Sequence, residues 1–522
     1  VLENITGVQI TRTAGVGTGV QIRGTNANRV EFNGVSTVAS GSGRSGINFE
    51  DVNPAIISAV EVSKSPDAKT IEGSVGGTIN LKTIRPLDLT ETLGAVRLQF
   101  EDSSLSTESA QPRFSGAFGD NWDTDAGSFG FVISGSYTEQ ESVSFRPRTD
   151  RDNLASPPGA NPAEFMGIQF LVQEQENFDY ETTNLASTFE FAPNDDVKLY
   201  FDAIINDQER SQDSYRLQAS GISNLRNISI PTAFETIDFG VVGGVDLPVY
   251  QAALAGSLEP AISDVSVGIN SSDGNLRFSS DTGSRVTDSE VFALGGEWQI
   301  NDRLSARAEF ATTSSSTSNP NLSTTVNFLN PNAPLISEVR FQDSSIPRYY
   351  YALDADQRAA VMSDPANIEA VNATFEAAAL AATGLTADDV RSVSLFNDNA
   401  TPFIYDLSGG TLAWGIDFSS PYAPTAAQLL DPSNVILDQI IVGRNTTENE
   451  EDAFRLDFTY DLDWKGISSV DFGFRMSESS SRFNDVEDRV GGFSQTKDSP
   501  WGSSFSELLV PGPANYGNAD GR

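Results

Sequence analysis

The chain has 522 residues and a formal net charge of −39, with 72 acidic against 33 basic residues. This balance disfavours a nucleic-acid partner, because phosphate binding needs clustered Lys and Arg. The sequence contains no cysteine and no histidine, so disulfides, thiol chemistry and imidazole-based sites are excluded. We expect no catalytic residues, no metal site and no resident cofactor. The acidity fits large exposed loops and a carboxylate-lined interior; divalent cations bridging the loops are the alternative.

The first 86 residues read as a small mixed α+β domain. Short β-like pieces separated by glycine are predicted at residues 8–11, 20–22, 29–32, 59–62 and 77–81, with a helical turn at 53–58. The Gly-rich runs at 15–19 and 73–77 lack the Lys-Ser/Thr that a phosphate loop requires, so tight turns are the better interpretation. Residues 86–92 are predicted to link this domain to the first long strand.

Nine segments of alternating apolar and polar residues follow. In one of them Leu199, Phe201 and Ile205 face one side while Lys198 and Asp202 face the other, the period of two that defines a strand. The strands are predicted at 95–101, 113–118, 127–139, 184–191, 197–207, 290–299, 304–313, 453–461 and 468–477. We expect each to have about nine to thirteen residues, the length that crosses a hydrocarbon layer.

The connections between these segments alternate between short and long. Short ones at 120–125, 193–196, 301–303 and 463–466 are rich in Asn, Asp or Gly, as hairpin turns require. The long ones have about 40, 75 and 135 residues, lengths that compact soluble domains seldom tolerate. This rhythm predicts an all-β transmembrane barrel with turns on one side and long loops on the other. A soluble all-β array remains the alternative.

Two further features fit the barrel. No run of about eighteen apolar residues exists for a spanning helix, so only a closed barrel could cross a membrane. Trp298, Tyr460 and Trp464 lie near predicted strand ends, where aromatic girdles are found. Residues 354–394, inside the longest loop, are Ala-rich with helical character and are predicted to form a helical cap on an external loop.

The N-terminal motifs carry a family resemblance. VLENITGVQITR at 1–12, VQIRG at 20–24, RVEFNGV at 29–35, NP with ISAVEVSKSP at 53–66, and EGSVGGTINL at 72–81 follow one another in order and spacing. Together they resemble the plug domain of TonB-dependent outer-membrane receptors. Asn33 stands where the family usually has Asp. The resemblance implies an N-terminally incomplete plug at 1–86, and at 87–522 the N-terminal part of the barrel, about nine of some 22 strands, with long extracellular loops.

The resemblance also implies a function and partners. We expect an outer-membrane receptor that imports a nutrient through a plugged barrel, driven by a TonB-type energy-transducing complex and surrounded by outer-membrane lipid and lipopolysaccharide. Residues 85–88 and the large loops resemble a proteobacterial subgroup linked to carbohydrate uptake, so an oligosaccharide is the first expectation for the small nutrient ligand. A ferric-siderophore receptor, a passive channel or structural barrel protein, and a secreted adhesin or surface-layer protein are the alternatives.

Particular residues follow from the same resemblance. Arg23, Gly24 and Glu61 match plug positions that contact the barrel wall, which predicts a plug latch; an ordinary ion pair inside the plug is the alternative. Ser42, Arg44 and Asn48 are predicted at the plug apex, where they could bind ligand hydroxyls. Sugar rings stack on aromatic faces, so the predicted loop aromatics are also ligand candidates, with loop packing as the alternative: Tyr215, Tyr349, Tyr350, Tyr351, Tyr405 and Trp414.

Overall fold

The fold is taken from a computed structural model of the chain. It describes residues 5–491, except for 14–15, 41–56, 66–69, 71–73, 105, 107–109, 156–164, 221–227, 260–264, 268–274 and 398–400.

Six short strands make up the N-terminal domain. They are β1 (Val8–Thr13), β2 (Val16–Ile22), β3 (Asn28–Phe32), β4 (Val35–Ser36), β5 (Ala59–Ser63) and β6 (Gly77–Lys82). β1 and β2 form a hairpin, and the others form a sheet in the order β4-β3-β6-β5, with β3 and β6 parallel. All five predicted β pieces lie within these strands. The helical turn predicted at 53–58 lies outside the described residues, apart from its last two.

Nine long strands form the second unit, which we call the wall. They are β7 (Leu93–Glu101), β8 (Gln111–Thr124), β9 (Gly127–Ala155), β10 (Phe165–Asn194), β11 (Val197–Ser220), β17 (Asn275–Asn301), β18 (Leu304–Phe328), β24 (Val435–Trp464) and β25 (Ile467–Gly491). Neighbours in this order pair antiparallel. The nine predicted strands and their four tight turns are confirmed.

The predicted strand lengths were wrong for most of the wall. β10 and β24 each run for 30 residues, because ladder pairing continues into polar segments that were predicted to be loops. Glu139 pairs with Glu181, and pairing extends outward to Leu154 opposite Met166. The connection of about 40 residues predicted between β9 and β10 is therefore mostly paired strand. These polar segments extend the ladder because their backbone N–H and C=O groups pair with the neighbouring strands.

The outward face of the wall carries an apolar row that crosses seven strands. Directly paired residues form this row: Phe131, Phe189, Phe201, Leu294, Phe310, Phe454 and Met476. Leu294 is 60% exposed and Met476 is 61% exposed. Trp298 and Trp464 are exposed beside the tight turns. An apolar band bordered by aromatic residues is the outer surface of a transmembrane barrel.

The opposite face is layered. Nearest the tight turns, Lys198, Glu297, Arg307 and Asp457 pair across four strands with alternating charge. Farther along lie small and apolar side chains of the wall, which form one core with the N-terminal domain: Ala186, Ile204, Val291, Ala293 and Ala311 pack with Ile22, Val30, Phe32, Ile79 and Leu81, among others. The N-terminal domain therefore lies against the polar, inward face of the wall.

The long loops are themselves folded. Their strands are β12 (Ile228–Asp238), β13 (Val241–Val242), β14 (Val245–Asp246), β15 (Val249–Glu259), β16 (Val265–Val267), β19 (Leu335–Phe341), β20 (Tyr349–Ala352), β21 (Val390–Asn397), β22 (Phe403–Asp406) and β23 (Ala413–Ile416). The helices are α1 (Ala355–Ser363), α2 (Asn367–Thr383) and α3 (Ala426–Leu429). α1 and α2 confirm the predicted helical region. Asp354 and Gln357 cap α1 reciprocally, and Gly384 ends α2 at φ 72°.

Part of this loop structure covers the outward face of the wall above the apolar row. Leu171, Ala219 and Leu276 pair side by side on the same face as Phe189, Phe201 and Leu294. They lie about 60 Å farther along the strands at 3.3 Å per residue, beyond a hydrocarbon layer of about 30 Å. All three are nevertheless buried, against side chains of β15 and β22 such as Leu258 and Phe403. We call β12, β15, β22 and β23 the loop sheet.

No helix among the described residues is both long enough and apolar enough to span a bilayer.

Replacing Leu276 by Ala should loosen the loop sheet, because it opens a cavity in a packed core at a cost of about 2–5 kcal/mol. Leu294→Ala is the matched control: it lies on the same strand and face but is 60% exposed, whereas Leu276 is 5% exposed. Limited proteolysis in detergent should cut the loops faster in L276A only. Equal cleavage of both variants would contradict the assignment of two separate apolar zones.

Candidate functional site

A charged contact joins the N-terminal domain to the wall where the chain leaves β6. The Arg85 guanidinium donates two parallel hydrogen bonds to Asp202, each of 3.0 Å. Thr188 donates to the same carboxylate at 2.8 Å. Asp202 is buried on the inward face of β11. A bidentate, charge-assisted pair of this kind fixes orientation as well as position, so Arg85 is held rigidly on the wall.

Tyr200 lies between two guanidinium groups at this contact. Arg85 and Arg307 lie 5.2 and 5.7 Å from its ring centre, the cation–π range. The Tyr200 hydroxyl donates to Glu309 and accepts from Arg307 at 3.0 Å. Gly295 pairs directly with Tyr200 across the strands, and a Cβ at that position would overlap the ring. Glycine is thus required there by the close approach of the aromatic ring.

The backbone of the linker is also held by the wall. The Leu87 N–H donates to Glu190 at 3.0 Å, and the Asn121 amide donates to the carbonyls of Pro86 and Leu89 at 2.9 and 2.8 Å. Pro86 lies over Gly130, where an added Cβ would stand 2.8 Å from the Pro86 Cβ. We call these contacts, together with Arg85 and Asp202, the linker clamp. It fastens residues 85–89 to β8, β9, β10 and β11.

A second contact faces β24 and β25. On β3, Arg29 and Glu31 form an ion pair of 3.1 Å and are largely buried. Burial lowers the pKa of Arg29 and raises the pKa of Glu31, and each shift is opposed by the charge of the other residue. Arg475, which pairs with Glu451 at 2.9 Å, acts electrostatically on both. This contact therefore couples charges of the N-terminal domain to charges of the wall.

One hydrogen bond joins the N-terminal domain to the wall farther along β24. The Asn449 amide donates to the Ala39 carbonyl at 2.8 Å. Ala39 lies two residues before the undescribed stretch that begins at residue 41. The bond therefore ties the region before the predicted apex to β24.

Two cavities separate the N-terminal domain from the wall. The smaller, of about 630 Å³, is lined by Glu61 and Lys82 on one side and by Lys198, Glu297 and Arg307 on the other, among others. The larger, of about 1330 Å³, extends along the tight-turn end of the wall from β11 and β17 to β18, β24 and β25. Its lining includes Thr70 of the N-terminal domain and the charged wall residues Arg307, Arg455, Asp457, Asp471 and Arg475.

Of the predicted latch residues, Glu61 lies at this junction. Arg23 is exposed in a turn with φ 53°, followed by Gly24 at φ 79°, and its N–H donates to the Gly7 carbonyl. Glu61 accepts from Lys82 at 2.5 Å and from Asn80, within the N-terminal domain, while lining the smaller cavity. Their latch role stays a prediction.

Arg85, which binds the wall directly, and Arg29 and Glu31, whose charges interact with those of Arg475 and other wall residues, were not predicted to form a latch. Arg85 belongs to the Arg-Pro stretch noted before the first wall strand, and Arg29 and Glu31 lie inside a quoted plug motif. The charge of these residues could have identified them. A charged side chain in a small domain that packs inside a polar lumen is expected to pair with an opposite charge on the lumen wall.

Ser42, Arg44 and Asn48 lie outside the described residues. Of the loop aromatics, Tyr350, Tyr351 and Tyr405 are buried in loop cores, and Tyr351 stacks on Phe375 with ring centres 4.9 Å apart. Burial raises the pKa of Tyr351, which fits a packing role.

The other three aromatics are less buried. Tyr349 and Trp414 are half-buried, Trp414 against Phe403. Tyr215 does not lie in a loop, because β11 continues through the predicted loop. It pairs with Gln175 and Ser280 within the wall and lies on the outward face.

The external loops contain a cavity that the sequence did not indicate. It measures about 740 Å³ and is lined by residues that include Asn332, Asp354, Gln357, Phe375 and Tyr422. Arg358 also lines this cavity, and its guanidinium donates to the carbonyls of Pro331 and Ala333. Burial lowers the pKa of this guanidinium. A concave site with an aromatic ring beside polar groups is a typical small-ligand pocket.

The inward face of the wall beyond the core is lined with hydrogen-bonding groups. One row of directly paired residues is Asn184, Asn206, Ser289, Ser315, Asn449 and Ser481; the next is Thr182, Gln208, Thr287, Thr317 and Thr447. Asn184 donates to Asn206 at 2.9 Å, and Ser481 donates to Asn449 at 2.7 Å. These rows form a hydroxyl and amide belt around the lumen.

Among the described residues, no group of three or more acidic side chains could hold a metal ion.

The wall, its apolar outward face and the domain packed on its polar face define a plugged outer-membrane β-barrel. Residues 1–78 match the family model described as the TonB-dependent Receptor Plug Domain. The N-terminal domain is therefore a plug domain of the kind found in TonB-dependent receptors, a family of transporters located in the bacterial outer membrane.

Solved structures with some similarity include three receptors. The pyoverdine receptor FpvA of Pseudomonas aeruginosa is 12% identical, with 92% of this chain and 83% of that chain covered and a TM-score of 0.23. The ferric yersiniabactin uptake receptor FyuA of Yersinia pestis is 10% identical, with 94% and 79% covered and a TM-score of 0.21. The hemophore receptor HasR of Serratia marcescens is 10% identical, with 93% and 76% covered and a TM-score of 0.23. None of the curated proteins compared with the chain matches it.

Replacing Asp202 by Ala should release the linker, because it leaves the Arg85 guanidinium partly buried without its bidentate partner, at a cost of about 3–5 kcal/mol. Hydrogen exchange of residues 83–92, followed by mass spectrometry, should be faster in D202A. Asp207→Ala on the exposed face of the same strand is the control and should exchange like the unmodified chain. Unchanged exchange in D202A would show that the clamp does not depend on this ion pair.

A methyl group at Gly295 should displace the Tyr200 ring and lower the melting temperature of the purified receptor, since overpacking costs about 1–3 kcal/mol. Gly116→Ala, whose added Cβ would meet only an ordinary contact of 3.5 Å, should change little. Tyr200→Leu should partly rescue Gly295→Ala by removing the ring that the methyl group strikes. A double variant no more stable than G295A would argue against this packing.

Proposed function

We propose that this receptor imports an oligosaccharide by energy-coupled displacement of its plug. The observation that carries the proposal is the hydroxyl and amide belt of the lumen, from Thr182 and Asn184 on β10 to Thr447 and Asn449 on β24. Sugars present many neutral donors and acceptors. A lining of Ser, Thr, Asn and Gln can exchange hydrogen bonds with them without the desolvation cost of fixed charges.

The external loops supply the first binding site in this proposal. The cavity beside Tyr422 offers an aromatic face together with Asn332, Asp354 and Gln357, a combination suited to a sugar ring and its hydroxyls. Trp414 and Tyr349 are the predicted aromatics that remain half-buried, and they stay proposed ligand contacts. Ser42, Arg44 and Asn48 remain the proposed contacts from the plug apex.

The plug is proposed to be the unit of residues 1–86, and the barrel unit to begin at residue 87. A TonB-type energy-transducing complex would pull the plug from the periplasmic side. The proposed latch consists of Glu61, the Arg23-Gly24 turn, and the charged residues Arg29 and Glu31. The last two interact electrostatically with Glu451 and Arg475 of the wall. Outer-membrane lipid, including lipopolysaccharide, is the proposed partner of the apolar outward row.

A ferric siderophore is the second candidate for the ligand. Arg210 and Arg285 are paired directly across β11 and β17 on the inward face, and Arg285 donates to Gln208 at 3.4 Å. Like charges directly opposite one another are unfavourable in a sheet, so an anionic group near them would be stabilised. This observation favours a negatively charged ligand over a neutral sugar.

Uptake of labelled oligosaccharides and of ferric siderophores, by cells with and without the intact gene, tests the proposal. Gene-dependent oligosaccharide uptake that is lost when a protonophore removes the proton gradient would support it. Uptake that persists without the gradient would indicate a passive channel. Asn206→Leu with Thr287→Val removes belt hydrogen bonds and should slow sugar uptake, whereas Arg210→Gln with Arg285→Gln should slow only siderophore uptake. The opposite selectivity would replace the first candidate by the second.

A further inference from the structure

The outward face of the wall changes from apolar to acidic at one level. Beyond the tight turns, the outward positions of six strands carry no charged residue until one acid appears on each strand. These first acids are Glu139 on β9, Glu181 on β10, Asp207 on β11, Glu290 on β17, Asp452 on β24 and Glu478 on β25. Glu139 is half-buried and the others are exposed. We call this arc of carboxylates the acidic collar.

The collar begins at nearly the same height on every strand. Each first acid lies 10 to 13 residues from the turn end of its own strand; Asp207 is 10 residues beyond Val197, and Glu181 is 13 before Asn194. A tilted strand needs about 9–11 residues to cross the hydrocarbon layer. The acids therefore begin where the wall leaves the hydrocarbon on the side of the long loops, at the level of the lipid headgroups.

The pairing register gives the same level independently. Direct pairing leads from Glu181 through four intervening strands to Asn484 on β25, whereas the first acid of β25, Glu478, lies six residues nearer the turn. Six residues over five strand spacings correspond to about 20 Å against about 24 Å, an angle of about 40°. Strands of outer-membrane barrels tilt by about 35–45°. Acids that step from strand to strand in this way lie in one plane parallel to the membrane.

The collar places like charges opposite one another. Asp207 is paired directly with Asp288. Glu181 lies opposite Glu139 on one side and Glu209 on the other. Within the part of the chain that the structure describes, none of these five acids forms an ion pair. Like charges directly opposite one another are unfavourable in a sheet, so a positively charged partner at this level would stabilise the wall.

The position and spread of the collar indicate the kind of partner. The collar continues the apolar outward row, since only Ala203 and Ile205 separate Phe201 from Asp207 on the same face of β11. Its carboxylates are spread over six strands, about 4.8 Å apart per strand, and are not gathered at one point. A repeated layer of small cationic groups fits this geometry. Headgroups that carry an ammonium group form such a layer, and ammonium groups make charge-assisted hydrogen bonds to carboxylates.

We propose that the acidic collar holds a shell of zwitterionic aminophospholipid, whose ammonium groups pair with the collar carboxylates. This shell rests on the proposed function in one respect, namely that the apolar outward row contacts lipid. It adds the level of the headgroups, the residues that bind them and the charge that the headgroups carry. Headgroups with a phosphate and no amine would meet the collar with like charge, which is repulsive.

Lipid retention by the purified receptor tests this selectivity. The receptor is equilibrated in micelles with equal amounts of dioleoyl phosphatidylethanolamine and dioleoyl phosphatidylglycerol, with EDTA present, and native mass spectrometry identifies the lipids that stay bound. Phosphatidylethanolamine should be retained several-fold more than phosphatidylglycerol. Raising the salt concentration should weaken this preference, because exposed charges are screened.

Two variants neutralise separate parts of the collar, so that the test does not depend on the folding of one of them. The first removes four neighbouring carboxylates of β10, β11 and β17: Glu181→Gln, Asp207→Asn, Glu209→Gln and Asp288→Asn. The second removes four carboxylates of β24 and β25: Glu448→Gln, Glu450→Gln, Asp452→Asn and Glu478→Gln. Each should reduce the preference for phosphatidylethanolamine. A control removes four exposed acids outside the collar and should keep the preference: Asp246→Asn, Glu369→Gln, Asp388→Asn and Asp488→Asn.

The outcomes separate the shell from the lipid partner on which it rests. Lipid that is retained without preference, or a preference that survives in both collar variants, would overturn the proposed shell alone. Phosphatidylglycerol retained above phosphatidylethanolamine when Mg²⁺ replaces EDTA would also overturn it, because cations would then bridge the carboxylates to phosphate. If neither lipid is retained, the proposed lipid partner of the apolar row fails together with the shell.

The level of the headgroups is tested by fluorescence, and the chain has no native cysteine to interfere. Ser316 lies between Asp288 and Glu448 in the pairing register, and Leu322 is six residues farther out on the same face of β18; both are exposed. In phosphatidylethanolamine vesicles with a nitroxide on part of the headgroups, a fluorophore on S316C should be quenched several-fold more than one on L322C. Equal quenching, or stronger quenching at L322C, would show that the headgroups do not lie at the collar and would overturn the proposal.

Discussion

The register of the antiparallel ladder is the constraint on which the structure depends. Because successive side chains point to opposite faces, a slip of one residue in any wall strand would exchange its inward and outward sets. Phe201 would then turn into the lumen and Asp202 into lipid. The tight turns fix this register; in one of them Lys465 and Gly466 both adopt positive φ. The register of the ladder therefore determines the lipid-facing surface, the polar lumen and the position of Asp202, which binds Arg85.

The lumen places its chemistry in layers along the strands. Charge lies near the tight turns, small and apolar side chains form the next layer, and the hydroxyl and amide belt follows. The small residues Ala293 and Ala311 leave room for the plug core, while the buried acidic groups Asp202 and Glu190 accept from the linker. Burying a charge is unfavourable unless it is paired, so the position of the linker and the identity of these residues depend on each other.

Much of this architecture could be predicted from the sequence because period two and turn composition are local signals. All nine wall strands, the four turns and the β pieces of the plug were predicted in this way, and the Ala-rich composition of residues 354–394 predicted the region of α1 and α2. Strand ends were not, because polar segments such as 281–290 carry no apolar alternation, and only pairing with β11 and β18 extends them. Tyr215 was assigned to a loop for the same reason.

The charged contacts of the plug were harder to predict. A pair such as Arg85 and Asp202 joins residues far apart in sequence, and nothing in the local pattern of either one identifies its partner. The external cavity beside Tyr422 likewise depends on how α1 packs against residues 421–422. Sequence pattern predicts which face a side chain occupies, whereas pairing between distant segments depends on three-dimensional packing.

The loop sheet has a consequence for how the molecule is assembled. Its docking row takes Leu171, Ala219 and Leu276 from three different strands, and none of these residues forms an apolar surface of useful size alone. The row exists only after β10, β11 and β17 have paired along nearly their whole length, so the external layer must dock late, on a template that the membrane-inserted strands provide. Such late, non-local docking is slow. Until it is complete, the row of Leu171, Ala219 and Leu276 stays exposed. Chaperones of the cell envelope could bind this row, and proteases could cleave receptors in which it is still exposed.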